Sequence, residues 1–148
     1  MKIYIGADHR GVVYKAKICD MLEKLGHQVN DLGSFDEKVS CDYPDIGKQV
    51  AEQVAANKGS RGMLICMSGI GQSIVANKVK GAYAALCYNR EAAALSRQHN
   101  NANVLVLSSK FVPQEEIKPI IETWLSTDFE GGRHLRRVEK IKEIENHR

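Results

Sequence analysis

Short apolar runs recur along the chain and break on glycine or polar residues. Segments 2–6, 27–31, 62–66, 83–87 and 103–107 read as strands. Between them lie stretches of helical composition near 11–24, 45–57, 71–79 and 90–98, and another at 114–125 follows the last strand. Strand and helix alternating in this way predict an α/β fold, a single-domain three-layer α/β/α arrangement with a five-stranded parallel, Rossmann-like sheet. Residues 130–148 read as one more charged helix, about 130–147, opened by Gly131-Gly132 and carrying apolar residues at Leu135, Val138, Ile141 and Ile144. That sparse stripe predicts an extra C-terminal helix packed outside its own sheet, on a second copy of the chain for instance.

One apolar run carries chemistry. Met63-Leu64-Ile65-Cys66-Met67-Ser68-Gly69-Ile70-Gly71 ends in a thiol and breaks into glycines, so Cys66 is expected at a strand-to-helix turn. Free backbone N–H groups gather at such a turn, and its partial positive charge favours anions and lowers the pKa of a nearby cysteine. Cys66 is therefore expected to be a thiolate beside an anion pocket. An isolated cysteine after a strand is otherwise commonly a buried core thiol.

Composition narrows the class. The 148 residues suit one domain able to bury a core without disulfides or metal. Lys plus Arg number 21 against 18 Asp plus Glu, and a net charge of +3 does not argue for nucleic-acid binding. With no signal-like start and no run of membrane-spanning length, the expected location is cytoplasmic. Cys19, Cys41, Cys66 and Cys87 lack the paired spacing of zinc or dithiol sites, so four free thiols are expected.

In parallel α/β sheets ligands bind at the carboxyl ends of the strands. That rule selects Asp8-His9, Cys66 to Gly71, Tyr88-Asn89-Arg90 and Ser108-Ser109-Lys110. His99-Asn100 falls at the other end of the fourth helix, the wrong edge of its own subunit, and reaches a site only across an interface. Asp31, after the second strand, is where a dinucleotide-binding module would hold ribose, yet the first strand leads to Gly6-Ala7-Asp8-His9 without the glycine-rich fingerprint.

Taken together, Gly6-Ala7-Asp8-His9-Arg10-Gly11, Asp42-Tyr43-Pro44, Cys66 through Gly71 with Ala76-Asn77-Lys78, Leu95 through Asn100, and Gly131-Gly132-Arg133-His134 with Arg137 resemble the type B ribose-5-phosphate isomerases over essentially the whole length. The same superfamily holds galactose-6-phosphate isomerase subunits and members acting on allose 6-phosphate. The resemblance implies aldose–ketose isomerisation of a sugar phosphate without metal or organic cofactor, in a homodimer or tetramer with sites shared between two subunits, and with neither nucleic acid nor membrane as partner. A phosphohexose isomerase is the nearest alternative, and a non-catalytic nucleotide-binding module the alternative from another class.

Such a reaction needs a base between C1 and C2, stabilisation of the enediolate, ring opening and a grip on the phosphate. Cys66 fits the base, and the N–H groups of Ser68, Gly69, Ile70 and Gly71 fit the enediolate oxygens, with the Ser68 hydroxyl as a further donor. Some relatives carry a glutamate base at the position of Gln72. A glutamine amide lacks that basicity, so this chain falls with the cysteine group. The resemblance assigns His99 to ring opening, Asn100 and Asp8 to sugar oxygens, His9 to phosphate, Tyr43 to the pocket wall and Arg133 with Arg137 to a phosphate clamp offered to the partner. Without it, Asp8 reads as a helix cap, His99 as a helix-end histidine, Tyr43 as a loop aromatic and the arginines as a solvated face. Two positions depart from the family: Lys110 replaces a common arginine and loses its fork, and Met67 replaces a usual glycine, so that its side chain either points away or narrows the pocket.

Overall fold

The computed structural model describes residues 1–147, and Arg148, the last residue of the expected C-terminal helix, lies outside them. In chain order the elements are β1 (Lys2–Ala7), a 3-10 turn (His9–Gly11), α1 (Val12–Lys24), β2 (Gln28–Asp31), α2 (Tyr43–Ala56), β3 (Arg61–Cys66), α3 (Ile70–Ala76), β4 (Ala84–Leu86), α4 (Arg90–Gln98), β5 (Val104–Ser108), α5 (Gln114–Ser126) and α6 (Arg133–Asn146). The five strands form one sheet in the order β2-β1-β3-β5-β4, with every pairing parallel. The predicted elements are all present, and their ends move for local reasons. Helix α2 begins earlier because Pro44 is tolerated in a first helical turn. Helix α3 stops at Ala76 because the Asn77 amide leaves the helix to pair with Ala84, donating from Nδ2 to its carbonyl and accepting its N–H at Oδ1, both at 2.9 Å.

Strand alternation builds the two cores. Ile3, Ile5, Ala7, Met63, Ile65, Leu105 and Leu107 share a cluster with Ile18 and Leu22 of α1 and with Ile120, Ile121 and Trp124 of α5. The intervening Tyr4, Leu64, Val104 and Val106 join Val50, Ala51 and Val54 of α2 and Ala76 of α3 on the other face. At the edge strand, Asp31 is occupied: its carboxylate accepts from Lys15 Nζ and from the Gly33 N–H, while the Phe35 ring stands 4.5 Å from that ammonium. Lys15 is only 2 % exposed, and removing Asp31 would leave its charge buried and unpaired. A carboxylate so engaged is not free to take a ribose hydroxyl, which removes the residue that favoured a dinucleotide module.

The sheet order reverses between β1 and β3, so their carboxyl ends bound the crevice where such sheets take ligands. Asp8 and Cys66 stand at those two ends. Helix α6 lies at the opposite edge, where Glu145 accepts from the Gly81 N–H and from the Tyr83 hydroxyl, just before β4. Its first contacts are thus within its own chain: His134 and Val138 are buried, while Leu135, Ile141 and Ile144 remain exposed.

Candidate active site

After Cys66 the chain is tied to β5. Cys66 O accepts from the Ser109 N–H at 2.9 Å, and Met67 O accepts from the Ser108 hydroxyl at 2.6 Å and the Lys110 N–H at 3.1 Å. Gly69 then turns the chain at φ 83°, and a Cβ there would stand 2.5 Å from Leu86 Cδ1, so both conformation and space demand glycine. The turn aims its amides inward. Gly69 N–H donates to Cys66 Sγ at 3.1 Å, the Gln72 and Ser68 amides also stabilise the thiolate, and Ile70 N–H donates to the Ser68 hydroxyl at 3.2 Å. Of the amides expected to face an enediolate, those of Ser68 and Gly69 therefore serve the sulfur first. Tyr43 closes one side, its ring so near Gly71 that a Cβ there would lie 2.6 Å from Cζ.

The expectation of a lowered thiol pKa is overturned. Burial pushes the Cys66 thiol up, the Gly69 amide pulls it back, and the Asp8 carboxylate raises it again. With seven residues in α3 and the cysteine 7 % exposed, desolvation outweighs the turn's positive end. A base acts only when deprotonated, and a raised pKa leaves little thiolate at neutrality. The expected kcat/KM for a sugar phosphate therefore climbs with pH across the neutral range and flattens only beyond the usual thiol value. A profile already flat at pH 6 would contradict this.

The neighbouring predicted residues gather around the same edge. Asp8 Oδ1 accepts from the N–H groups of Arg10 and Gly11, each at 3.1 Å, so it does cap the 3-10 turn, and among the described residues Oδ2 has no hydrogen-bond partner. His9 Nδ1 accepts from the Cys41 N–H at 3.4 Å, beside the chain that leads into Tyr43. The Met67 side chain turns outward, its sulfur 3.1 Å from Arg10 Nη1. Lys110 is exposed, with its ammonium 5.4 Å from the Phe111 ring, and Phe111 in turn packs on Tyr88.

His99, Asn100, Arg133 and Arg137 form a second group at the far edge. His99 is the C-cap of α4, and the chain from Asn101 to Asn103 leads directly into β5. The five-residue length of β5, about 17 Å at strand rise, separates that edge from Ser108, the register partner of Cys66. Arg133 opens α6 and Arg137 follows one turn later, both exposed on the same helix. The His99 ring stacks on His134 with centroids 4.1 Å apart and planes 11° from parallel, and His134 Nε2 lies 3.5 Å from Glu130 Oε2.

Four residues that the sequence reading named without giving them a role contribute here. Ser108, fully buried, bonds through its hydroxyl to Met67 O and to the N–H groups of Lys110 and Phe111, fixing the cysteine loop. Tyr88 donates its hydroxyl to Ser68 O at 3.1 Å. Arg10 and His134 complete the list. Ser108 and Tyr88 stand at the strand ends that the topological rule selects, while nothing local announces the stacking of His134.

Known proteins match the chain in both sequence and fold. The model of the family described as Ribose/Galactose Isomerase matches residues 3–141. Ribose-5-phosphate isomerase B of Escherichia coli is 44% identical over 99% of this chain and 98% of its own, and a probable ribose-5-phosphate isomerase B of Mycoplasma pneumoniae is 47% identical over 94% and 91%. Ribose-5-phosphate isomerase B of Clostridium thermocellum superposes with a TM-score of 0.96 at 48% identity, covering 99% of each chain. The Mycoplasma genitalium enzyme solved with bound ribulose-5-phosphate also gives 0.96, at 44% identity over 99% of this chain and 97% of that one. A match over nearly the whole length, carried by both sequence and fold, places the chain in the ribose/galactose isomerase family.

Proposed function

We propose that this protein interconverts ribose 5-phosphate and ribulose 5-phosphate, as a cytoplasmic enzyme of the pentose phosphate pathway, in sites shared between two copies of the chain. The observation that carries the shared site is the division of the candidate residues. Cys66 and Asp8 stand at the carboxyl edge of the sheet, while His99 and the two arginines stand at the amino edge. One subunit then supplies base and cradle, and its partner supplies ring opening and phosphate clamp. The names of the full-length relatives support the pentose substrate.

The roles follow from the chemistry. In ring opening His99 takes the anomeric hydroxyl proton, the C1–O4 electron pair leaves with O4, and the proton is returned to O4, with Asp8 binding the sugar oxygens. The Cys66 thiolate then removes the C2 proton, and the electron pair forms the C1=C2 enediolate. The thiol returns that proton to C1 while the O2 proton passes to O1, an exchange that the Ser68 hydroxyl serves as both donor and acceptor. Gly71 and Ile70 line the cradle beside Tyr43, Asn100 binds a hydroxyl, and His9, Lys110, Arg133 and Arg137 hold the phosphate.

Turnover of ribose 5-phosphate, allose 6-phosphate and galactose 6-phosphate, compared without added metal, tests the reading. The pentose phosphate is expected to have the highest kcat/KM. Faster turnover of either hexose phosphate would move the chain to the hexose branch, and turnover of none would reject isomerase activity.

A further inference from the structure

His134 has no part in the scheme above, yet it is the side chain most closely engaged with His99. The residue is 6 % exposed, its ring is stacked face to face on His99 at 4.1 Å, and its Nε2 lies 3.5 Å from Glu130 Oε2. With one ligand atom from each of His99, Glu130 and His134 within 4.8 Å of the others, the trio resembles a metal-ligand set. The ring planes argue otherwise. An imidazole binds a metal through a lone pair in its own plane, and two rings only 11° from parallel and stacked cannot both aim at one ion between them. The same geometry is well made for a different task, which is to fix a ring plane.

We infer that His134 is a positioning residue for ring opening: it serves as a flat platform that sets the plane of His99, and Glu130 fixes the platform from behind. The inference rests on the assignment of His99 to ring opening. Among the described residues, Glu130 is the carboxylate that acts on His134, whereas Arg133 and Arg137 on α6 and His99 itself bring positive or potentially positive charge. Burial, then His99 and Arg133, hold His134 below the usual imidazole range. Held in that direction, the ring stacks on His99 with less repulsion of the proton that His99 gains in the reaction, and its Nε2 faces Glu130 Oε2 at 3.5 Å. Gly131 fixes the start of the helix that presents the ring, its carbonyl accepting from the His134 N–H at 3.0 Å.

The test separates ring opening from carbon-proton transfer. Ribulose 5-phosphate has no free hydroxyl placed to close a five-membered ring, so exchange of its C1 proton with D2O reports the Cys66 step alone. Conversion of ribose 5-phosphate requires ring opening as well. His134→Ala is expected to lower conversion by roughly a hundredfold, the scale of a misplaced catalytic group, while leaving C1 exchange within about threefold of wild type. His134→Phe restores a flat ring without the Glu130 link and is expected to recover most of the conversion. Parallel loss of conversion and exchange in His134→Ala, or no loss of either, would overturn the inference, as would a phenylalanine variant no better than alanine. Failure of the wild-type chain to exchange the C1 proton would instead reject the isomerase reading on which it rests.

Discussion

Cys66→Ala is expected to lower isomerase turnover by roughly 10²–10⁴-fold, the range for removing a positioned general base. Affinity for the sugar phosphate is expected to stay near wild type, because the residues assigned to the phosphate are left intact. The sulfur takes the Gly69 N–H at 3.1 Å and faces the crevice that Asp8 also faces, at the carboxyl end of β3. The Gln72 amide beside it lacks basicity, and Asp8 is assigned to the sugar oxygens. Cys66→Ser is expected to fail nearly as badly, since an alcohol is far harder to deprotonate than even a raised thiol. Retention of turnover within a few-fold of wild type by Cys66→Ala would remove the cysteine from the chemistry.

Arg133→Ala and Arg137→Ala are each expected to weaken sugar-phosphate binding by about 1.5–3 kcal/mol, the scale of hydrogen bonds to a charged group. That corresponds to roughly ten- to a hundredfold in Kd. The two guanidinium groups project from successive turns of α6, exposed and without a carboxylate partner among the described residues. They are thus free to fork onto a phosphate dianion. Lys110→Ala is expected to cost less, since a lone ammonium offers no fork, and Lys110→Arg to bind phosphate as well as wild type or better. Inorganic phosphate is expected to compete with substrate in the wild type and to compete less well in each arginine variant. Unchanged phosphate competition in both would reduce α6 to a solvated helix.

The strands and most helices were legible because burial on both faces of a parallel sheet writes near-continuous apolar runs, and runs such as 62–66 and 103–107 admit little else. The opposite placement of Cys66 and His99 was legible too, because the topological rule assigns one to the carboxyl edge and the other to the amino edge. What escaped depends on contacts distant in sequence. The end of α3 is set by Asn77 pairing with Ala84, and Lys15, which reads as a polar position on an amphipathic helix, is buried against Asp31 sixteen residues on. The direction of the Cys66 pKa escaped for the same reason. The helix start was visible in the glycines, but the desolvation that outweighs it comes from neighbours that only the folded chain supplies. His134 stood inside a recognisable motif, and only the fold brings its ring onto His99.

The shared site is tested most directly by subunit complementation. Cys66→Ala chains and His99→Ala chains are each expected to be nearly inactive alone. Denatured together and refolded, or co-expressed with two different tags and purified through both, they are expected to form mixed dimers in which one of the two proposed sites draws intact Cys66 from one chain and intact His99 from the other. The account predicts ribose 5-phosphate isomerisation at up to about half the wild-type rate per verified heterodimer. Heterodimers as inactive as either parent would contradict it and place Cys66 and His99 in a site within one subunit.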